Sequence, residues 1–250
     1  MKPILQMLIA FTLIVGVGAV IVTRSNSQQQ QVESLVHDND SNTIRGKVKR
    51  AKEKGRKVVN IPSPIPLYAE VDSLDEALSQ TMAVVAMPIE KKSMLLDPET
   101  IVTFYRLRVI ETLSQNILPD CCAPKSIPSE LPSLNMGEIY LQVGGGSVTI
   151  DDVMVAEKEE FGGLRLSQQY LIFLSQNPSL SIAMVRLGAG GIFKVNDDSS
   201  LEAITPSIGS GKERSLNSVK SPLQRDLENL HGNSLRQLKA NIKGVRLRQN

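Results

Sequence analysis

The fold of this 250-residue chain is decided by one run of ten residues, Ile101-Val102-Thr103-Phe104-Tyr105-Arg106-Leu107-Arg108-Val109-Ile110. The run is rich in β-branched side chains, and past Tyr105 apolar and basic residues alternate. In a strand, this period of two places Tyr105 and Leu107 on one face and Arg106 and Arg108 on the other. The run therefore predicts a long strand with one buried face.

Shorter apolar runs of the same kind surround this strand. Turns containing Gly, Asp or Asn-Pro separate them at spacings typical of sandwiches and small barrels. No dozen-residue helix fits between them, which argues against a parallel α/β sheet. We therefore predict a mainly β fold, a small antiparallel β-barrel or sandwich, over residues 68–204. The short strands are predicted at Met82–Met87, where Pro88 ends the strand, and at Ile139–Val143, Ser147–Ile150, Val153–Ala156, Tyr170–Leu174, Ser181–Arg186 and Ile192–Val195.

Helices are predicted on both sides of the β region. Ser73, followed by acidic residues, is an N-cap signal for a short helix over Leu74–Gln80. The tail, residues 205–250, starts as a Ser/Gly-rich linker and continues with helices over Pro222–Leu230 and after Ser234. The last helix carries an apolar stripe that we expect to dock on the β domain, the alternative being a partner protein. The stripe consists of Leu235, Leu238, Ile242 and Val245.

The first 24 residues form an export or anchor segment. Ile4–Val22 is apolar apart from two polar residues, and Lys2 and Arg24 flank it. Nineteen helical residues span roughly 28 Å, close to the thickness of the hydrocarbon core. A cleavable signal peptide fits the same residues, although we favour an uncleaved transmembrane helix. Either interpretation predicts an exported protein, single-pass membrane-anchored or periplasmic/extracellular.

A polar, basic linker follows over residues 25–67. We predict that it is mostly disordered, with a helix allowed across Lys47–Gly55. Its cations could contact anionic lipid headgroups or a nucleic acid, or be merely solvated. Because no aromatic side chain lies among them to stack on bases, nucleic acid is the less favoured partner. The predicted lipid or polyanion contacts are Lys47, Lys49, Arg50, Lys52, Lys54, Arg56 and Lys57.

The charge distribution separates this linker from the β domain. Eight basic residues and one acidic residue lie within 45–57, whereas residues 58–211 carry nine basic and 19 acidic residues. An acidic body is thus flanked by basic arms, a pattern that concerns partners rather than fold. The apolar content of 41% argues against wholesale disorder, and the 22% charged residues argue against a polytopic membrane protein.

No motif predicts catalysis, a metal or a cofactor. Gly144–Gly146 precedes a strand and lacks the Lys-Ser/Thr of a phosphate loop, so we predict a hairpin turn or bulge. The two histidines, His37 and His231, lie in the linker and the tail, remote in sequence from candidate nucleophiles. Acidic residues at 151–160 lack the spacing of a calcium loop and indicate a solvated face. We therefore predict that the protein is not an enzyme and has no small-molecule ligand.

The adjacent pair Cys121-Cys122 is the most unusual local feature. It lies in a Pro- and Ser-rich insert, Asn116–Asn135, that we predict to be a loop. Two adjacent cysteines can close a strained disulfide, pair between chains or stay reduced. Export would favour oxidation.

Three motifs in the β region resemble those of uncharacterised exported bacterial β-barrel domain proteins. The group shows T-x-Y-x-L-x-V-x-E-x-L, then G-G-x-V, then Y-L-L-F-L. The corresponding residues here are Thr103–Leu113, Gly145–Val148 and Tyr170–Leu174. The resemblance covers about Leu74 to Ile242, although the insert with its cysteines departs from the pattern. It implies a β-barrel and an exported location, and no reaction.

Together these observations predict an exported or membrane-anchored envelope protein with a non-catalytic binding or interaction domain. The membrane is its expected partner through the N-terminal segment, and a protein partner is expected at the C-terminal helix if that helix does not dock on the β domain. The alternative from another class is a cytoplasm-facing, OB-like nucleic-acid-binding protein. A hydrolase ranks third because no candidate base is found.

Overall fold

The computed structural model describes residues 42–62, 71–114, 127–177, 182–185, 187–204, 222–229 and 235–249. The chain divides into two compact units. The first comprises residues 1–59 together with Thr149–Met154, and the second comprises Asn60–Val148 and Val155–Asn250. The β-sheet of the long strand belongs to the second unit.

Four α-helices lie within the described residues. The first helix begins three residues before the expected Lys47, and it ends at Glu53. The second has the predicted bounds, and Ser73 caps it: its hydroxyl oxygen accepts a hydrogen bond from the Glu76 N–H at 3.1 Å. The helices are α1 (Ile44–Glu53), α2 (Leu74–Gln80), α3 (Pro222–Asn229) and α4 (Leu235–Gln249).

Ten strands make the described chain mainly β, as the sequence predicts. Seven form one sheet in the order β10-β9-β7-β2-β3-β4-β8, and three form another in the order β1-β6-β5. Strands β1 and β10 were not predicted. The strands are β1 (Val58–Ile61), β2 (Met82–Leu95), β3 (Ile101–Thr112), β4 (Glu138–Gly144), β5 (Gly146–Ile150), β6 (Val153–Glu157), β7 (Tyr170–Asn177), β8 (Ile182–Val185), β9 (Ile192–Val195) and β10 (Leu201–Ala203).

Pro88 does not end strand β2, so that prediction was wrong. The strand continues to Leu95 and pairs antiparallel with β3 along its length. Strand β7 pairs with β2 only as far as Ala86, so the missing N–H of Pro88 removes no hydrogen bond from that side. A register shift against β3 lies between Pro88 and Glu90. The proline is therefore accommodated at an irregularity where one neighbouring strand has already ended.

Strand β8 has two partners in the seven-stranded sheet. It pairs parallel with β4, where Leu141 lies opposite Ala183. It also pairs antiparallel with β7, where Ser175 lies opposite Met184. Strands β2, β3, β4, β8 and β7 are thus each paired with two others in this set.

The predicted alternation of strand β3 is confirmed. Tyr105 and Leu107 are fully buried in one apolar cluster with side chains of β2, β4 and β7. On the other face Arg106 is partly exposed and Arg108 is exposed. Nearer its start, however, this second face is also buried, because Phe104 packs with Tyr140 and Leu131. The long strand therefore contributes to the core on both faces.

The C-terminal helices dock on the sheet, which confirms the favoured interpretation of the apolar stripe. Leu235 and Leu238 are buried in a second cluster with Val85 and Phe173, and Ile242 packs against it. The Leu235 N–H donates to the Ser199 carbonyl oxygen at 2.9 Å. Helix α3 contacts the start of helix α2, where the Asp226 carboxylate accepts a hydrogen bond from the Leu74 N–H at 2.8 Å. Leu235, Leu238 and Ile242 of the stripe thus pack within the chain.

Strands β4 and β5 belong to different sheets, so the hairpin turn predicted at Gly144–Gly146 is not formed. The single residue that joins the two strands requires glycine. Gly145 has φ of +80°, and a Cβ there would lie 2.3 Å from the Lys158 carbonyl oxygen. We expect Gly145→Ala to lower the free energy of unfolding by about 2 kcal/mol, because the backbone conformation and the overlap both cost energy. Urea denaturation followed by circular dichroism measures this. Ser147→Ala, at an exposed position in strand β5, is the control, and equal stabilities would contradict the backbone conformation assigned to Gly145.

Several predictions fall outside the described residues. These are the apolar segment Ile4–Val22, both histidines and Cys121-Cys122. Within the part of the chain that the structure describes, no helix is long and apolar enough to cross a membrane.

Candidate functional site

The predicted lipid or polyanion residues lie on and just after helix α1. Thr43 caps the helix, its hydroxyl oxygen accepting from the Gly46 N–H at 3.1 Å. Ile44, Val48 and Ala51 recur at helical spacing and are buried. Apart from Gly46 and Glu53, the remaining positions of the helix are basic, so the cations lie around the part of the helix that the apolar stripe leaves uncovered.

The chain leaves the helix through a glycine-dependent cap. Gly55 has φ of +65°, and its N–H donates to the Lys52 carbonyl oxygen at 2.9 Å. The Arg56 N–H donates to the Ala51 carbonyl oxygen at 2.8 Å, which completes a Schellman motif. The motif reverses the chain at once, so Arg56 and Lys57 follow closely on the last helical turn.

The structure brings the seven predicted cations onto one segment and leaves them accessible. Lys47 is half-buried, and the other six are exposed. No ion pair joins any of the seven to another residue among those that the structure describes. We call this segment the basic surface; it consists of Lys47, Lys49, Arg50, Lys52, Lys54, Arg56 and Lys57.

Few acidic side chains offset the basic surface within its own unit. Glu53 is the only acid in residues 42–62, and Asp151 and Asp152 add two more in the turn between β5 and β6. Both aspartates have positive φ, 48° and 65°, as in a two-residue hairpin turn. With Arg45 included, the described residues of the unit carry eight basic and three acidic side chains, an excess of five positive charges.

In the second unit, by contrast, several charged side chains form ion pairs. The Tyr105 hydroxyl donates to the Glu159 carboxylate at 2.5 Å and accepts from the Leu164 N–H at 3.1 Å. Lys91 forms an ion pair with the other oxygen of Glu159. Burial, and then the hydrogen bond to Glu159, raise the pKa of Tyr105 well above its ordinary value. The tyrosine therefore stays protonated and positions the 159–164 segment.

A second charged group lies on strands β2, β3 and β4. Arg106 contacts Glu90 at 3.1 Å through Nη1 and Glu138 at 3.4 Å through Nε. The Asn135 N–H donates to the Glu138 carboxylate at 2.9 Å, and this hydrogen bond is the main cause that lowers the pKa of Glu138. The arginine is thus held between two carboxylates, and its charge is not available to a polyanion.

The lowered pKa of Glu138 predicts that the stability of the fold depends on pH. Its folded pKa lies below its ordinary value of 4.5, so its contribution to stability is present above about pH 4.5 and is lost as the pH falls through the folded pKa. We expect Glu138→Gln to lower the urea midpoint at pH 7, with the difference from wild type shrinking in acid. Glu99→Gln, at an exposed position, is the control. Two parallel curves for wild type and Glu138→Gln would contradict this assignment.

A shallow cleft of about 250 Å³ lies beside the first core cluster. Tyr170, Lys194 and Glu202 lie next to one another across β7, β9 and β10. Arg165 lines the cleft, and its N–H donates to the Tyr170 hydroxyl at 2.9 Å. Lys194 and Glu202 form an ion pair at 3.1 Å, so the cleft offers less excess charge than the basic surface.

Sequence reasoning found the basic surface but missed the polar clusters of the second unit. Tyr105 and Glu159 are 54 residues apart, and no local pattern signals their hydrogen bond. The acidic residues at 151–160 include Glu159, which is engaged rather than solvated. No group of three metal-ligating side chains is found in the described ranges.

Neither a scan against protein-family models nor a search of the curated proteins finds a match for this chain. The resemblance to exported bacterial β-barrel domains therefore stays a prediction.

Proposed function

We propose that this protein is an exported, membrane-anchored envelope protein with a non-catalytic binding function, and that its basic surface binds anionic lipid headgroups. One observation carries the proposal: six exposed cations lie within nine residues of one helix and its cap, and none has an ion-pair partner in the described chain. Lys or Arg near an anionic membrane contributes about 1 kcal/mol each.

The sequence before the basic surface supports the same partner. Ile4–Val22 is the predicted anchor, and about twenty residues separate it from Arg45. A random-coil chain of about twenty residues has a root-mean-square end-to-end distance of roughly 25 Å. The basic surface would thus be held close to the membrane in which the anchor lies, which raises its effective concentration at the headgroups.

We further propose that strands β2, β3, β4, β8 and β7 close into a small barrel. The support is the pairing of β8 with both β4 and β7. Renumbered along the chain, the five strands have the order 1-2-3-5-4-1 with strands 3 and 5 parallel, the connectivity of the OB-fold. The barrel would be the domain that the anchor displays at the envelope.

This connectivity makes an OB-like nucleic-acid-binding protein the second candidate. OB-folds bind oligonucleotides on the face of their second and third strands, here β3 and β4. Base stacking on that face needs accessible aromatic rings. Phe104 and Tyr140 are instead buried against each other, with ring centroids 6.2 Å apart, and Arg106 is held by two carboxylates. The lipid partner is therefore the better supported.

Lysine labelling distinguishes the two partners without removing the anchor. The full chain is placed in vesicles of phosphatidylcholine, alone or with about one-third phosphatidylglycerol, and labelled with an amine-reactive reagent read by peptide mass spectrometry. We expect Lys49, Lys52 and Lys54 to react about tenfold more slowly on the anionic vesicles. Lys91 and Lys194, in the second unit, are internal controls and should not change.

The outcome against the proposal is equal labelling of these lysines on both lipids. Protection by a single- or double-stranded oligonucleotide, with none by anionic vesicles, would replace the lipid proposal by the nucleic-acid one.

A further inference from the structure

Two exposed apolar side chains lie beside the basic surface, and the proposed function leaves them unused. Val58 follows Lys57 directly and is 45% exposed, and Met154 is 42% exposed. The Met154 N–H donates to the Lys57 carbonyl oxygen at 2.9 Å, which fixes the two segments side by side. Val153 and Val155, on either side of Met154, are buried, so the alternation of strand β6 turns Met154 outward.

We propose that Val58 and Met154 insert into the membrane interface while the basic surface contacts the headgroups. This inference rests on the proposed function and specifies how the same surface binds. A membrane interface accepts both kinds of side chain at once, since cations contact anionic headgroups and apolar groups reach the acyl boundary. The positive charge excess of the first unit is complementary to the anionic lipid headgroups. Val58 and Met154 are complementary to the apolar region beneath those headgroups.

The other exposed apolar residues supply a contrast. Ile110, Met136 and Leu166 are at least as exposed as Val58, yet they lie in the second unit, whose described residues carry 13 basic and 17 acidic side chains. An acidic surface is repelled by an anionic membrane. Met136 is therefore a matched control for Met154: it is the same residue type, fully exposed, and lies outside the basic surface.

The test places an environment-sensitive probe at each of these two methionines. The full chain with Cys121→Ser and Cys122→Ser receives Met154→Cys or Met136→Cys and is labelled with a nitrobenzoxadiazole fluorophore. Anionic vesicles of the composition above contain lipids spin-labelled at a shallow acyl position. We expect quenching and a blue shift at position 154, and neither at position 136. Substitution at these exposed positions leaves the buried core intact.

A second variant tests the energetic contribution. Val58→Ser removes one of the two apolar groups without changing the charge and is expected to weaken contact with anionic vesicles about tenfold, read as faster labelling of Lys49 and Lys52. Met136→Ser is its control and should leave the labelling unchanged.

The possible failures are distinguishable. An unquenched probe at position 154 together with protected lysines overturns the inference and leaves the proposed function standing. Equal quenching at positions 154 and 136 overturns it as well. Unprotected lysines on anionic vesicles contradict the proposed function, and the inference falls with it.

Discussion

Replacing Lys49, Arg50, Lys52 and Lys54 by glutamine is expected to weaken contact between the basic surface and anionic vesicles by about a thousandfold. Each cation near such a membrane contributes about 1 kcal/mol, so four together contribute about 4 kcal/mol, or three orders of magnitude in the equilibrium constant. None of the four has an ion-pair partner in the described chain, so their removal leaves no acid unpaired there. Glutamine has nearly the helix propensity of lysine, so helix α1 should persist.

The variant with four glutamines keeps two lysines of the basic surface that can still be labelled. Lys47 and Lys57 lie at the two ends of the neutralised stretch, and on anionic vesicles their labelling should rise to the rate seen on neutral ones. The control exchanges Lys and Arg at the same four positions, which preserves every charge and should preserve the protection. Continued protection of Lys47 and Lys57 in the neutralised variant would show that the four cations do not bind the membrane.

Leu238→Ala is expected to lower the free energy of unfolding by about 3 kcal/mol. Leu238 is completely buried in helix α4, in the apolar cluster that joins the C-terminal helices to the sheet. Truncating a buried leucine removes its apolar burial and leaves a cavity, at a cost of roughly 2 to 5 kcal/mol. Urea denaturation followed by circular dichroism measures the change.

Arg236→Ala is the matched control for this prediction. Arg236 is exposed on the same helix, two residues earlier, and its replacement should change stability by less than about 0.5 kcal/mol. If Leu238→Ala were equally neutral, the docked position of helix α4 would be contradicted, and its apolar stripe would again be a candidate surface for a partner protein.

The features that sequence predicted well are those with a short-range signal. The alternation of apolar and basic residues after Tyr105 predicted which face of strand β3 is buried. Ser73, followed by acidic residues, predicted where helix α2 begins. The spacing of Leu235 and Leu238 was enough to predict a buried helical stripe. In each case the side-chain period along a few residues matches the geometry of one element, so no tertiary information was needed.

The features that were missed depend on residues far apart in sequence. A proline normally ends a strand. Strand β2 tolerates Pro88 because the pairing of β2 with β7 ends at Ala86, and only the sheet topology shows this. The sequence predicted that Glu159 is a solvated acid, whereas its carboxylate contacts the side chains of Tyr105 and Lys91.

The extent of helix α1 was predicted only in part. The basic run suggested Lys47–Gly55, whereas Thr43 starts the helix earlier and Gly55 ends it with a Schellman motif. The seven cations were predicted as contacts from their density in the sequence, and that role stays a prediction. Six of the seven are exposed, and on the helix itself Ile44, Val48 and Ala51 take the buried positions.

The measurement that tests the central claim most directly is the salt dependence of lysine labelling on anionic vesicles. The Debye length falls from about 10 Å at 0.1 M salt to about 3 Å at 1 M, so exposed charges lose most of their attraction to headgroups over this range. The account predicts that Lys49, Lys52 and Lys54 are protected at low salt and label at the solution rate near 1 M salt, with Lys91 and Lys194 unchanged throughout. Labelling of the three lysines that is the same at both salt concentrations, or the same on neutral and anionic vesicles, would contradict it.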